Sequence, residues 1–367
     1  MQRKKVKIKP STKLSTQIKK HIKNGKTEET KGLWTPPVGS DSFILSTGST
    51  LVDLAISGRR FTGGGIPMGI FCEIFGASAR GKTVMMLEMA GIVQRMEGDY
   101  LFIDPEARVN KEFAKIFGFN MSSGKYKKPN TVEEAFDYVR KWEPKGKGPH
   151  TVFMDSLAAF ESKEESQDKG DEYSGARKAK EFSQELRKIT RVIEERNYLI
   201  LATNQIRQNL GAGMYAKKTK STGGEAPKFY SSLRLELKKP SRDGEIKMEK
   251  TIRGVVHKRV TGVQTDVFIE KSTVSTPHQI GLMRILFDYG VDDIVPNLMF
   301  LKKNTKGTGF TVGGVDLGSN VNKAVEYIEH DKPRTRRIRI EELKEEVIDV
   351  WTEIQKELTP DRKRKQR

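Results

Sequence analysis

The sequence predicts an α/β fold in which a mainly parallel sheet is covered by helices on both faces. Two observations carry it. Short apolar runs alternate with helix-patterned segments from Ile70 to Thr203, as successive βαβ units require. Each run then ends in a residue suited to phosphate or metal chemistry, as expected where the carboxyl ends of parallel strands open onto one crevice.

The first run, Ile70-Phe71-Cys72-Glu73-Ile74-Phe75, enters Gly76-Ala77-Ser78-Ala79-Arg80-Gly81-Lys82-Thr83, a complete Gly-x-x-x-x-Gly-Lys-Thr phosphate loop. Its glycines let the backbone curl so that successive N–H groups point at a β-phosphate. Lys82 reaches the β- and γ-phosphates, and the Thr83 hydroxyl suits Mg²⁺. A helix over Val84 to Met96 aims its N-terminal dipole at the same anion. The loop therefore specifies a nucleoside triphosphate.

Tyr100-Leu101-Phe102-Ile103 ends in Asp104-Pro105-Glu106. A carboxylate at that edge beside Mg²⁺ stays ionised, which makes Glu106 the candidate to orient and deprotonate an attacking water. Thr151-Val152-Phe153-Met154 ends in Asp155, suited to hold the Mg²⁺ shell beside Thr83. Tyr198-Leu199-Ile200-Leu201-Ala202-Thr203 ends in Asn204-Gln205, where a neutral amide suits hydrogen bonding to a γ-phosphate.

Arg207 to Gly224 contains Gly211, Gly213, Gly223 and Gly224 with Arg207, Lys217, Lys218 and Lys220 and no acid. It reads as a long mobile loop that presents cations. Leu210, Met214 and Tyr215 suit wedging between bases or stacking on them, while the lysines and the N–H groups of Gly223 and Gly224 suit phosphates. Strands over Leu233 to Leu237, Ile252 to Lys258 and Val263 to Ile269 extend the sheet.

From about Asp293 a glycine-rich stretch leads to helices near Asn320 to His330 and Ile340 to Leu358, the latter with Leu343, Val347, Trp351 and Ile354 on one apolar face. This predicts a small C-terminal α+β domain over residues 293–367, after a core over 42–292. The first 41 residues read as a basic arm. Ser11 to Asn24 is expected as a helix with Leu14, Ile18 and Ile22 on a narrow stripe, suited to docking on another subunit.

The balance of +19 is unevenly placed. Residues 1–25 carry nine Lys or Arg and no acid, residues 334–339 carry four Arg, and residues 360–367 carry five bases against Asp361. Almost all of the surplus thus lies in three short pieces that suit capture of a polyanion without reading its sequence. Cys72 is the only cysteine, so there is no disulfide or cysteine-based zinc site. No run approaches the ~20 apolar residues that cross a bilayer. No membrane association and a soluble, cytoplasmic protein are expected.

These residues resemble the bacterial RecA recombinases and their phage and archaeal relatives. The matching pieces run in order: Ser46-Thr47-Gly48, Ile66-Pro67-Met68-Gly69, the phosphate loop, Phe102-Ile103-Asp104-Pro105-Glu106, Met154-Asp155-Ser156, Asn204-Gln205-Ile206-Arg207, and Thr222-Gly223-Gly224 leading to Lys228-Phe229-Tyr230. The resemblance covers about residues 42–292. It implies an ATPase core of that family with an N-terminal polymerisation helix. It also implies ATP and Mg²⁺ as cofactors, with Lys82 and Thr83 as phosphate and metal residues, Asp155 as the second metal acid, Glu106 as base and Gln205 as γ-phosphate sensor. Asn110 and Phe113 fall where the family holds adenine, and Phe287 where it supplies a further aromatic.

The resemblance makes Arg207 to Gly224 the second DNA-binding loop. A first loop falls within Glu161 to Gly175, where the run is acidic, so its DNA contacts are expected on the next helix at Lys180 and Arg187. Departures are Glu225 and Pro227 after the double glycine. Of the paired lysines that reach a neighbour's ATP, Lys271 remains, with Thr273 in the other place. The expected function is a DNA-dependent ATPase that forms filaments on single-stranded DNA and exchanges strands with double-stranded DNA, with loader or single-strand-binding proteins as further partners. The alternatives are an ATP-switched binding or mediator protein with little turnover, and a ring-forming helicase-type motor.

Overall fold

Strands whose side chains are apolar on both sides must be covered twice, and the central strands are. The computed structural model describes residues 40–162, 174–208, 219–221, 224–240, 244–305, 307–329 and 332–360. In chain order these hold β1 (Ser40–Leu45), α1 (Thr50–Ser57), β2 (Ile66–Met68), β3 (Phe71–Gly76), α2 (Lys82–Arg95), β4 (Asp99–Ile103), α3 (Lys111–Ile116), β5 (Tyr126–Lys127), α4 (Val132–Lys141), β6 (His150–Met154) and α5 (Ser174–Arg196). There follow β7 (Leu199–Gln208), β8 (Thr219–Ser221), α6 (Ala226–Tyr230), β9 (Leu233–Lys238), β10 (Glu245–Ile252), β11 (Val255–Ser272), β12 (Ile280–Leu286) and β13 (Gly290–Val291). The chain continues through α7 (Ile294–Asn304), β14 (Thr311–Val312), β15 (Val315–Asp316), α8 (Val321–Glu329) and α9 (Pro333–Glu357).

The main sheet runs β13-β12-β11-β9-β3-β7-β6-β4-β5, with β10 on β11 and β8 on β7. From β9 to β5 the strands are parallel. On one face Cys72, Ile74, Phe102, Phe153 and Leu201 pack with Met85, Met86 and Met89 of α2. On the other, Phe71, Leu101, Val152 and Ile200 pack with Phe136 of α4 and with Phe182, Leu186 and Ile189 of α5. The period-two alternation thus sorts each strand between two cores.

The expected strand over Ile252 to Lys258 is interrupted, with Ile252 ending β10 and Val255 to Lys258 opening β11. Arg253 and Gly254 take φ of 52° and 77° and make the two-residue turn between β10 and β11, so a run of β-branched residues belongs to two strands. Beyond that turn the sheet is antiparallel through β9, β11, β12 and β13. The arm helix over Ser11 to Asn24 and the basic end at residues 361–367 lie outside the described residues. β1 crosses the expected boundary at residue 42, pairing with β2. α9 begins at Pro333 rather than near Ile340, which takes the four arginines of residues 334–339 into its first turns.

A third core joins α1 to the C-terminal elements through Leu54, Leu298, Leu301, Ala324, Ile328, Leu343, Val347 and Trp351. The Ser46-Thr47-Gly48 motif serves the base of α1. The Ser46 hydroxyl, the Thr47 N–H and the Thr47 hydroxyl all donate to buried Asp53, at 2.5, 2.7 and 2.7 Å. Burial outweighs these donors and pushes the Asp53 carboxyl up to about 7.

One acid lies in the middle of the sheet. Glu73 of β3 has no exposed surface and is held between neighbouring strands: Arg234 Nε of β9 donates to it at 2.6 Å and Asn204 Nδ2 of β7 at 2.8 Å. Arg234 also pairs with Glu270 of β11 and lies 4.3 Å over the Phe75 ring. Removing one partner of such a pair leaves a buried uncompensated charge, so Arg234→Met is expected to destabilise the protein by about 3–5 kcal/mol. Adding Glu73→Leu should recover most of that loss. Urea unfolding midpoints of the two variants check this, and equal midpoints would show that the pair is not coupled.

Candidate active site

Level strand ends bring the expected residues to one edge. Gly76 lies beside Gln205 across β3 and β7, and Ile103 beside Met154 across β4 and β6. Asp104 and Asp155 each follow by one residue, with the Asp155 N–H donating to the Ile103 carbonyl at 3.0 Å.

In the loop, Ala77, Ser78 and Ala79 are exposed. Ala79 and Gly81 have left-handed φ of 57° and 85°, the backbone that turns successive N–H groups towards one anion. A side chain at Gly81 would also place its Cβ 2.3 Å from Ile285 of β12. From below, the Thr265 hydroxyl of β11 donates to the Arg80 carbonyl at 3.1 Å. Lys82 starts α2, and its Nζ donates to the Gly76 and Ala77 carbonyls at 3.0 and 2.8 Å. Burial lowers the Lys82 pKa, opposed by the charge of Asp155.

The Thr83 hydroxyl donates to Asp155 at 2.7 Å. The other Asp155 oxygen accepts from the Thr203 hydroxyl. Thr203 was not legible as a site residue; the available signal was a hydroxyl directly after the apolar run Tyr198 to Ala202. Among the described residues no group of three or more His, Cys, Asp or Glu side chains is arranged to hold a metal. Thr83 and Asp155 instead offer a hydroxyl and a carboxylate, the hard oxygen donors that suit Mg²⁺.

Asp104 and Glu106 have different surroundings. Asp104 is buried and accepts from the Tyr126 hydroxyl at 2.6 Å and the Val109 N–H at 2.9 Å, so it fixes the turn after β4. Burial, then the hydrogen bond to Asp104, pushes the Tyr126 hydroxyl pKa well up. Glu106 is partly exposed and ion-paired with Arg108 at 3.0 Å, a contact that an incoming group can replace.

Asn110 caps α3, its Oδ1 accepting from the N–H groups of Glu112 and Phe113 at 2.7 and 3.4 Å. That leaves its amide N–H groups for a ligand. Phe113 is 39% exposed and edge-on to Phe117. Phe287 is exposed two residues beyond Ile285.

At β7 the two amides separate: Asn204 is buried on Glu73, and Gln205 is exposed. The strand does not stop there. It runs to Gln208 and pairs with β8, Ile206 opposite Ser221, Arg207 opposite Lys220 and Gln208 opposite Thr219. The segment expected as loop from Arg207 therefore begins and ends as an antiparallel hairpin stem, because a strand anchored at Asn204 continues its ladder when a partner returns. Leu210, Lys217, Lys218, Thr222 and Gly223 lie outside the described residues, as does most of the acidic stretch within Glu161 to Gly175. Gly224 leads into α6.

Lys228 of α6 pairs with Glu225 at 3.3 Å. Lys271 donates to the Lys228 and Phe229 carbonyls at 3.0 and 2.9 Å, so within this chain it closes the end of α6. Lys180 and Arg187 are exposed on the side of α5 away from Phe182 and Leu186. Arg177 and Arg191 continue their stripe.

Residues 37–292 match the family model described as the RecA N-terminal domain. Protein RecA of Delftia acidovorans (strain DSM 14801 / SPH-1) is 30% identical over 78% of this chain and 75% of its own length. Protein RecA of Azoarcus sp. (strain BH72) is 31% identical over 82% and 83%. Protein RecA of Borrelia hermsii (strain HS1 / DAH) is 30% identical over 86% and 87%.

Charge-assisted hydrogen bonds contribute about 1.5–3 kcal/mol each, so Lys82→Ala is expected to weaken nucleoside triphosphate binding by roughly tenfold to a hundredfold. Titration with a fluorescent nucleotide checks it, and unchanged affinity would remove the phosphate-binding role of the loop.

Proposed function

The chain belongs to the RecA family, and on that premise we propose that it is a DNA-dependent ATP hydrolase that forms filaments on single-stranded DNA and carries out homologous pairing and strand exchange. The observation that carries this reading is the register that sets Gly76 beside Gln205, one residue before the hairpin stem of β7 and β8. Nucleotide chemistry and a cationic segment are thereby joined by one strand.

In this reading the loop N–H groups and Lys82 bind and orient the triphosphate, with Asn110 and Phe113 on the adenine. Thr83 and Asp155 would hold Mg²⁺, which when bound offsets negative charge on the phosphates. Thr203 keeps Asp155 in place. Glu106 accepts a proton from water as the water oxygen bonds to the γ-phosphorus and the β–γ bridging oxygen leaves with ADP. Gln205 senses the γ-phosphate, and the segment from Arg207 through Leu210, Lys217, Lys218, Lys220, Thr222, Gly223 and Gly224 to Lys228 carries DNA with Lys180 and Arg187.

Assembly completes the site. Lys271 acts towards a neighbouring subunit's nucleotide, Phe287 supplies a further aromatic beside the nucleotide, and the arm before residue 42 docks on the next core. The C-terminal part from residue 293 is a small domain that shares an apolar core with α1. No helix among the described residues is long and apolar enough to cross a membrane. The cytoplasm and loader or single-strand-binding partners fit the same reading.

Losing a general base costs on the order of 10² to 10⁴ in rate. Glu106→Gln is therefore expected to bind ATP and DNA while hydrolysing ATP at least 100-fold more slowly, on the order of that loss. Steady-state hydrolysis with saturating single-stranded DNA measures this, and turnover within about twofold of wild type would move the base elsewhere.

Coupling between sites is reciprocal. Gln205→Ala should keep ATP binding but lose both the ATP-induced gain in single-stranded DNA affinity and the DNA-induced gain in hydrolysis. A full gain in the variant would show that the hairpin is not the transmitting element and would favour a binding protein with little turnover.

A further inference from the structure

β11 is longer than the sheet that supports it. β12 covers it from Gly262 to Phe268. Past Gly262 it keeps only β10, and the six pairs of Lys247–Ile252 with Val255–Val260 project as a two-stranded ribbon of about 20 Å. Every residue from Lys247 to Arg259 is exposed. Met248, Ile252, Val255 and Val256 are 49%, 52%, 58% and 51% exposed, apolar surface that an isolated ribbon has no means of burying.

The two faces differ in charge. Opposed residues share a face and successive residues alternate. One face therefore holds the pairs Met248–Arg259, Lys250–His257 and Ile252–Val255, with no acid among them. The other holds the neutralised pair Lys258–Glu249 at 2.8 Å. At the tip Arg253 and Gly254 both have left-handed φ, a type I′ turn whose first position favours Asn, Asp or Gly. An arginine held there puts a cation at the furthest point of the ribbon. Lys250, Arg253 and Arg259 make no ion pair with any described residue.

Position supplies the second argument. Gly76 lies beside Leu237 and Leu237 beside Val267, so β11 leaves the sheet at the same edge as the phosphate loop and Gln205. The ribbon and the β7–β8 hairpin emerge three strand spacings apart, about 14 Å.

We propose that this ribbon is a contact for duplex DNA that lies in a groove. Lys250, Arg253 and Arg259 neutralise phosphates, and Ile252 and Val255 press against base edges. A two-stranded ribbon fits the major groove of about 12 Å. Cations position it without reading sequence, and in that groove apolar side chains meet thymine methyl groups. An acid-free cationic face selects a polyanion, and a stiff paired ribbon selects a groove over a single strand. The proposal rests on the DNA-acting role above and adds a second DNA contact to it.

The test uses the full-length protein with a non-hydrolysable ATP analogue and a closed duplex without single-stranded ends, measured by fluorescence anisotropy over a salt series. Two variants are compared with wild type: Lys250→Ala/Arg253→Ala/Arg259→Ala, and Ile252→Ser/Val255→Ser. Hydrolysis of ATP stimulated by single-stranded DNA is read in parallel. The triple variant is expected to bind duplex at least about tenfold more weakly, with a log–log salt slope smaller by about three. The double variant should bind more weakly at an unchanged slope. Both should keep stimulated hydrolysis. Duplex affinity within about twofold of wild type in the triple variant, with hydrolysis intact, overturns the proposal. Loss of hydrolysis in both variants overturns it too, since the ribbon would then belong to the core assembly. Ribbon-dependent duplex binding in a wild type that lacks stimulated hydrolysis would sink the ATPase reading and leave the ribbon contact standing.

Discussion

A carboxylate with no access to water sits in the strand that leads into the phosphate loop, and the central sheet is organised around it. Glu73 is tolerable there only because Arg234 and Asn204 reach it from the two neighbouring strands. An ion pair of this kind adds little net stability over an apolar replacement, and its observed use elsewhere is to fix register. Here the register it fixes levels the ends of three strands. β3, β7 and β9 carry at their ends the phosphate loop, Gln205 and the junction with the antiparallel half of the sheet.

The same side chains connect regions that are distant in sequence. Asn204 binds Glu73 through its side chain and precedes the exposed Gln205. Arg234 continues to Glu270, and the next residue, Lys271, closes the end of α6. The nucleotide edge and the helix that follows the cationic segment thus share one chain of polar contacts. Such a chain is a physical route for coupling, and its two ends must both respond to ligands before it counts as allosteric.

The antiparallel half does two jobs with one strand. At its middle β11 supports the phosphate loop through Thr265, with Ile285 of β12 packed beneath Gly81. At its far end it has no sheet to join and projects with β10. A residue near the nucleotide and a residue on the projecting ribbon are therefore parts of one continuous element.

By itself the sequence determined the α/β class and the phosphate-loop edge of the sheet, because period-two apolar runs and the Gly-x-x-x-x-Gly-Lys-Thr spacing are local signals that need no partner. It put Lys82, Thr83, Asp155 and Gln205 at the ends of neighbouring strands for the same reason, and the register of the sheet brings those ends level. Thr203, Glu73 and Arg234 acquired meaning only through pairing across strands, since their contacts lie tens to more than a hundred residues away in the chain. The turn at Arg253-Gly254 was hidden inside a β-branched run, because arginine is not a residue that marks a left-handed turn. The strand continuing past Gln205 was hidden as well, since its ladder depends on Thr219–Ser221 returning to meet it. Which polar residues are paired, and which surfaces are left without a cover, was decided by the tertiary structure, because both are set by what long-range contacts bring alongside.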